Sequence, residues 1–310
     1  LVLGLGLSAA IVRVAMNSEP IIAGIAALKS IAEVLGTPPI TESVEPVPVH
    51  GGALEVRNLV FSYGDGPRVL DGMSATFEPG TLTALVGSSG SGKSTVARLL
   101  ARFHDPVEGS VLLGGDDLRD IAVRDVHRSV SVVFQDPQLL TLPLRENIRL
   151  ARRDATDGEI MAAAKLANLD TVIAALPKGL DSVVNVDVTF SGGEAQRVAI
   201  ARSIVTDAPV LIFDEATAYA DPASEALIQS AIERLARSRT VIVIAHRLST
   251  IRNADRILVL DGGAVAEAGT HDELLARGGR YRELWRAFAL DDEPSAPRGT
   301  EADDEKAGNR

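Results

Sequence analysis

The sequence predicts an α/β fold assembled around a phosphate-binding strand, loop and helix. Three observations carry the prediction. Gly87-Ser88-Ser89-Gly90-Ser91-Gly92-Lys93-Ser94 fits the pattern G-x-x-x-x-G-K-[ST]. Alternating apolar residues precede this loop from Ala53 onward, and an unbroken apolar run at 210–213 and a strand at 240–245 follow it, as a buried sheet requires. Between the two regions, from about 136 to 206, the strand signal fades and helical periodicity takes over.

Whole-chain numbers agree with a globular protein. The 310 residues suffice for more than one domain, and 46% are hydrophobic against 24% charged. A net charge of −11 argues against a nucleic-acid partner, which needs a basic face. Without cysteine there are no disulfides and no thiolate metal sites. No secretory signal is evident, and a start at Leu1 rather than Met leads us to expect a portion of something longer.

Residues 1–12 are apolar all round until Arg13 interrupts them. Twelve residues fall short of the roughly 20 that span a bilayer, so the expectation is the end of a transmembrane helix, with a buried core helix as the alternative. Pro20 should kink or restart the helix. Beyond it Ile21, Ile25, Leu28, Ala32 and Leu35 recur with 4-3-4-3 spacing, a seam for a neighbouring helix, and Gly36 should stop it. Residues 1–36 are thus read as the end of a membrane domain. The proline-rich stretch 37–52 reads as a linker.

From Ala53, the positions Leu54, Val56, Leu59 and Phe61, then Val69, Met73, Ala75 and Phe77, read as short antiparallel strands with turns at 64–67 and 79–80. Residues 81–86 form the buried strand before the loop, and 94–100 the helix after it. Further strands are expected at 110–113, 130–134 and 256–260. Helices are expected at 157–169, 170–176, from Ser191, at 224–237, from a Thr270–Glu273 capping box, and at 281–288 with Leu284 and Trp285 inward. The end of the chain, 289–310, is acidic and polar, and reads as disordered.

The chemistry of the loop follows from its residue types. Its glycines let backbone N–H groups wrap an anion, Lys93 supplies a point charge, and the Ser94 hydroxyl is a hard oxygen donor for Mg²⁺. A serine- and glycine-rich surface turn is the bland alternative, against which stands the strand–loop–helix order. The run 210–213 ends in Asp214 and Glu215, one carboxylate to hold Mg²⁺ and one to polarise a water, unless both are simply solvated. Ser191-Gly192-Gly193-Glu194 opens a helix whose bare N-terminus can bind a second phosphate or can be an ordinary capped start. His246 lies just past a strand, where a structural histidine is the common case.

Taken together, the loop, Gln135, residues 191–194, Asp214, Glu215, Asp221 and His246, in this order and spacing, resemble the ATP-binding cassette family over about residues 53–288. The resemblance implies a P-loop NTPase cassette with an antiparallel β subdomain and a helical subdomain, joined to the last transmembrane helix of an exporter-type half-transporter. It implies that Tyr63 stacks on adenine and that Gly87, Ser88, Ser89, Gly90, Ser91, Gly92, Lys93, Ser94 and Thr95 wrap the phosphates of ATP. Ser94, Gln135 and Asp214 would attend Mg²⁺, with Gln135 also near the attacking water. Glu215 would be the base, His246 would hold the γ-phosphate, and Asp221, in the loop beyond, would be among the nucleotide-binding residues. Ser191, Gly192, Gly193 and Glu194 would reach the ATP of an opposing cassette, identical or different, in a head-to-tail dimer. The remaining partners would be a transmembrane domain, in this chain or another, and the membrane itself. The cassette would sit on the cytoplasmic side of the plasma (inner) membrane.

The sequence departs from the family pattern in three places. Phe190 and Glu194 replace the leucine and glutamine that usually bracket the Ser-Gly-Gly turn. Val184-Asn185-Val186-Asp187 stands where exporters carry Gly-Glu-x-Gly, the element that touches the membrane domain. Ala218-Tyr219-Ala220-Asp221 replaces Ser-Ala-Leu-Asp, and with the residues after Ser191 it is similar to the siderophore-handling branch, which imports with an exporter-like fold. Lipids and drug-like molecules are the other expected substrates. A soluble cassette ATPase acting on chromosomes or ribosomes is the competing reading, but it leaves residues 1–12 without a purpose. A P-loop kinase leaves the Ser191 helix and His246 unexplained.

Overall fold

The computed structural model describes residues 22–32, 34–36, 39–214, 222–245 and 247–292. The chain divides into two units, Leu1–Thr41 and Glu42–Arg310. In the first, helical residues cover 22–32 and 34–36 (helix α1), with the expected seam residues Ile25, Leu28 and Leu35 exposed. Residues 1–12, Pro20 and Ile21 lie outside the described residues. Among those described, no helix is long and apolar enough to cross a membrane.

The second unit contains two sheets among its described residues. The larger has the order β10-β9-β3-β8-β7-β6, formed by Ala264–Gly269, Arg256–Asp261, Leu82–Gly87, Thr240–Ile244, Val210–Asp214 and Val130–Val133. The pairs β9–β3, β3–β8, β8–β7 and β7–β6 are parallel, and β10 pairs antiparallel with β9. Burial on both faces explains the unbroken apolar runs. Leu211 and Phe213 enter one core, while Val210 and Ile212 enter the other. The first core lies against α5 (Asp157–Leu166), α7 (Gly192–Val205) and α8 (Pro222–Ala236). The second lies against α2 (Lys93–Leu100) and the smaller sheet.

That smaller sheet is antiparallel, in the order β2-β1-β4-β5, built from Arg68–Phe77, Leu54–Ser62, Glu108–Leu113 and Asp116–Asp117. The buried positions of β1 change phase, from Leu54 and Val56 to Leu59 and Phe61. A strict two-residue period would turn one of these pairs to solvent. Asn58, at φ 46°, absorbs the extra residue, and the pairing with both neighbours shifts around it. Gly109 passes so close to this bulge that a Cβ there would lie 2.4 Å from the Arg57 and Asn58 carbonyl oxygens.

Several elements differ from the sequence expectation. In β2 the core residue is Leu70, fully buried, rather than Val69. Helix α5 stops at Leu166, since Asn168 takes a left-handed φ of 55°. Strand β10 and helices α3 (Val123–Ser129), α4 (Leu144–Ile148) and α9 (Leu248–Arg252) were not expected. They are five to seven residues long, too short for a period to show. The stretch before β1 is held at Val47, whose N–H donates to Asp120 O at 2.9 Å. After α6 (Asp170–Ala175) and α10 (His271–Arg277), helix α11 runs from Arg280 to Asp292, and residues 293–310 lie outside the described residues.

Candidate nucleotide-binding site

Parallel pairing brings the carboxyl ends of β3, β8, β7 and β6 to one edge of the large sheet, where open α/β sheets bind ligands. Strand β3 leads there into the loop from Gly87 to Gly92, and Lys93 opens α2. A Cβ at Gly87 would lie 2.4 Å from Leu260 O and 2.6 Å from Ser91 Oγ, so only glycine fits between loop and sheet. Gly92 occupies the N-cap of α2 at φ 99°, a left-handed conformation that favours glycine, and no side chain caps the N–H groups of the first turn. Ser88, Ser89 and Gly90 are exposed, whereas Ser91, Gly92 and Lys93 are buried.

The Lys93 ammonium donates to Gly87 O and Ser88 O, both at 2.9 Å, which holds the charge inside the cradle. Ser94 Oγ donates to Asp214 Oδ1 at 3.3 Å, joining the helix start to the end of β7. Two hard oxygen donors therefore converge beside the loop. Among the described residues no group of three or more His, Asp or Glu forms a metal cage. Mg²⁺ suits such a place, since it takes one or two protein oxygens and completes its shell with phosphate and water. A pocket of about 210 Å³ opens over the loop, lined by Val69, Ser89, Gly90, Lys93, Ser94 and Thr95. A lining that joins the glycine loop to the Lys93 ammonium suits a polyphosphate.

Tyr63 stands at the edge of this region, 41% exposed. Its hydroxyl lies 3.2 Å from Thr95 Oγ1 and accepts from Arg98 Nη1 at 3.2 Å. Phe61 and His104 stand nearly perpendicular to its ring, at 4.9 and 5.5 Å between centroids. The hydroxyl contacts tie the ring to α2. Gln135 is exposed, two residues beyond β6. Glu215, Asp221 and His246 lie outside the described residues.

The turn before α7 is a capping box. Ser191 Oγ accepts from Glu194 N at 3.3 Å, and the Glu194 carboxylate accepts the Ser191 N–H at 2.8 Å and its hydroxyl at 2.9 Å. Ser191 and Gly192 are exposed. Ser191 and Glu194 bond each other, not the 87–95 loop, so this turn and the loop are separate features of one chain. In the departure at 184–187, Asp187 closes a tight turn. Its carboxylate accepts the Val183 N–H at 2.9 Å and pairs with Lys178 at 2.9 Å, and these bonds hold it below the usual carboxylate range. Val186 is left 71% exposed at the apex.

Sequence reasoning missed several contributors. Val69 lines the pocket instead of the core, and Arg98 restrains Tyr63; neither position carries a motif. The capping box at 191–194 was also missed: sequence reasoning makes Ser191 only an N-cap, although the pattern S-x-x-E is the signal that points to Glu194 as its partner.

Comparison with known proteins bears directly on this geometry. The family model described as ABC transporter matches residues 70–218, which contain the loop, Gln135, the Ser191 turn and Asp214. The chain belongs to the ABC transporter family. The cassette is 50% identical over 257 residues to a protein of Mycolicibacterium thermoresistibile named mycobactin import ATP-binding/permease protein IrtA, covering 83% of this chain and 28% of that one. It is 43% identical over 274 residues to the ATP-dependent lipid A-core flippase of Burkholderia pseudomallei, covering 87% of this chain and 46% of the flippase. Among solved structures, a bacterial Atm1-family ABC exporter with ATP bound superposes with a TM-score of 0.78 at 40% identity, over 89% of this chain and 48% of the exporter. The chain therefore spans less than half the length of these relatives. It is an ATP-binding cassette domain of the exporter-type architecture, with the P-loop core, antiparallel sheet and helical region expected of one.

Proposed function

We propose that this cassette hydrolyses Mg²⁺·ATP and couples the reaction to movement of a substrate across a membrane. The observation that carries the reading is the convergence of the Lys93 cradle, Ser94 and Asp214 at the carboxyl edge of one parallel sheet. In this reading the loop N–H groups and Lys93 bind the β- and γ-phosphates, and Tyr63 stacks on the adenine. Ser94, Asp214 and Gln135 hold Mg²⁺, which when bound offsets charge on the phosphates. Glu215 takes the proton of the attacking water, and His246 steadies the γ-phosphate; both roles rest on the family resemblance. The exposed Ser191 turn completes the site of a second cassette, identical or different.

An exposed apolar grouping supports contact with a membrane domain. Phe134 and Phe103 stack at 6.0 Å, Phe103 lies 5.5 Å from His127, and His127 and Leu150 line one cavity of about 620 Å³. Phe103, Phe134, Leu140 and Leu150 are exposed around the start and end of the Gln135 segment, a grouping that favours burial by a partner. For the cargo, the 50% identity to a mycobactin importer favours a siderophore. The likeness to a lipid A-core flippase supports lipid movement as the second reading. The cassette would then lie on the cytoplasmic side of the membrane that holds the assembly.

The decisive test is Glu215→Gln in the full-length protein. Turnover should fall by about 10²–10⁴-fold, the range for losing a general base, while ATP still binds. An unchanged rate would reject hydrolysis by this site. Uptake of labelled mycobactin against lipid flipping by the same assembly would separate the two cargo readings.

A further inference from the structure

Helix α7 does more than present the Ser191 turn, because its side chains also grip the segment that carries Gln135. Gln196, 4% exposed, donates through Nε2 to the carbonyl of Phe134 at 3.2 Å. Phe134 is the residue immediately before Gln135. On the far side of Gln135, Arg202 donates through Nη1 and Nη2 to the Gln138 carbonyl at 3.2 and 3.3 Å, and through Nε to the Asn147 carbonyl at 2.8 Å. Asn147, fully buried, holds Leu140 at both backbone groups, accepting its N–H at 2.8 Å and donating to its carbonyl at 2.9 Å. The chain is thus fastened at 134, 138 and 140, and residues 135–137 span the gap between fastenings.

We infer that Gln196 is a positioning residue that couples the Ser191 turn of α7 to Gln135 through its hydrogen bond to the Phe134 carbonyl. The helix is well suited to the task. Ten of its residues are buried, so it moves as a packed body and cannot bend locally. Gln196 lies five residues past Ser191, about 7.5 Å along the axis at 1.5 Å per residue. A displacement of the turn when a partner's triphosphate docks on it therefore reaches the Phe134 carbonyl through one side chain, and Gln135 follows. Arg202 anchors the other end of the segment, which makes Gln135 respond as a loop held at two points. A continuous set of contacts, from the Ser191 turn along α7 through Gln196 to Phe134, joins the two places. It rests on the proposed roles of Gln135 at Mg²⁺ or water and of Ser191 at a partner's ATP.

The test is a double-mutant cycle on the intact membrane assembly. Gln196→Met keeps length and burial but removes the donor. We expect kcat for ATP to fall about fivefold, the kinetic equivalent of one neutral hydrogen bond, with the half-saturating ATP concentration changed less than about twofold. In a Gln135→Ala background the same substitution should have no further effect. Equal slowing in both backgrounds would make Gln196 a structural residue and overturn the inference. A Gln135→Ala protein with undiminished turnover would instead remove the role of Gln135, and the inference with it. Gln196→Lys, which restores a donor, should recover kcat relative to Gln196→Met at matched melting temperature; equal rates in those two proteins also overturn the coupling.

Discussion

Glu194 accepts the backbone N–H of Ser191 at 2.8 Å and its hydroxyl at 2.9 Å, so the acid that departs from the family signature is bound to the signature's own serine. Two opposed effects follow. The box stabilises the start of α7, and the carboxylate places a negative charge where a partner's triphosphate is proposed to dock. Glu194→Gln keeps the geometry and removes the charge. A charge at a helix N-terminus is worth about 0.3–1 kcal/mol, so half-saturation for ATP should fall by roughly two- to fivefold. An ATP titration of steady-state turnover measures this, and an unmoved midpoint would show that the charge is inert.

Ser94→Ala removes the donor to Asp214 and one hard oxygen beside the loop. Even ligand-supporting residues of metal sites contribute about 10–100-fold to metal affinity, so a direct ligand should matter at least as much. Nucleotide affinity measured with and without Mg²⁺ is the readout. The variant should lose the gain that Mg²⁺ provides and keep its Mg²⁺-free affinity; a full Mg²⁺ response would strike Ser94 from the metal site.

Tyr63 offers a ring for stacking and a hydroxyl for positioning, and two substitutions separate them. Tyr63→Ala should weaken ATP binding by about 1–3 kcal/mol, the range for stacking a base on an aromatic ring. Tyr63→Phe keeps the ring and loses only the contacts to Thr95 and Arg98, a change of about 0.5–1.5 kcal/mol. Calorimetric titration with ATP decides the order. If both variants bind equally well, the ring is not the platform.

The acid limb of stability should report Glu159. Its carboxylate is held at about 2, against an ordinary value of 4.5, first by the Thr156 backbone N–H, then by the Thr156 hydroxyl and Arg152. A group lowered in the folded state stabilises the fold above its unfolded value and loses that contribution as pH falls toward the folded one. Glu159→Gln should therefore lower the melting temperature at neutral pH, and the gap from wild type should shrink between pH 4.5 and about 2. A constant gap across that window would mean that the charge of Glu159 does not cap α5.

How much of this was written in the chain depends on the length of each signal. The phosphate loop was legible because glycine spacing, lysine and hydroxyl sit within eight residues. The strand ending in Asp214 was legible because burial on both faces leaves an unbroken apolar run. The short helices α3, α4 and α9 were not, because five to seven residues cannot display a helical period. The phase change in β1 was present in the sequence as two incompatible pairs of apolar positions, yet the bulge at Asn58 that reconciles them belongs to strand pairing.

By itself, the sequence determined which groups can meet a phosphate or a magnesium ion, because those chemistries depend on residue type and on spacing over a single loop. Only the tertiary structure decided which of them meet each other. Ser94 and Asp214 are 120 residues apart in the chain, and Gln196 and Phe134 are 62 apart. Contacts at such separations are set by how strands align and helices pack, and no local pattern of side chains encodes them.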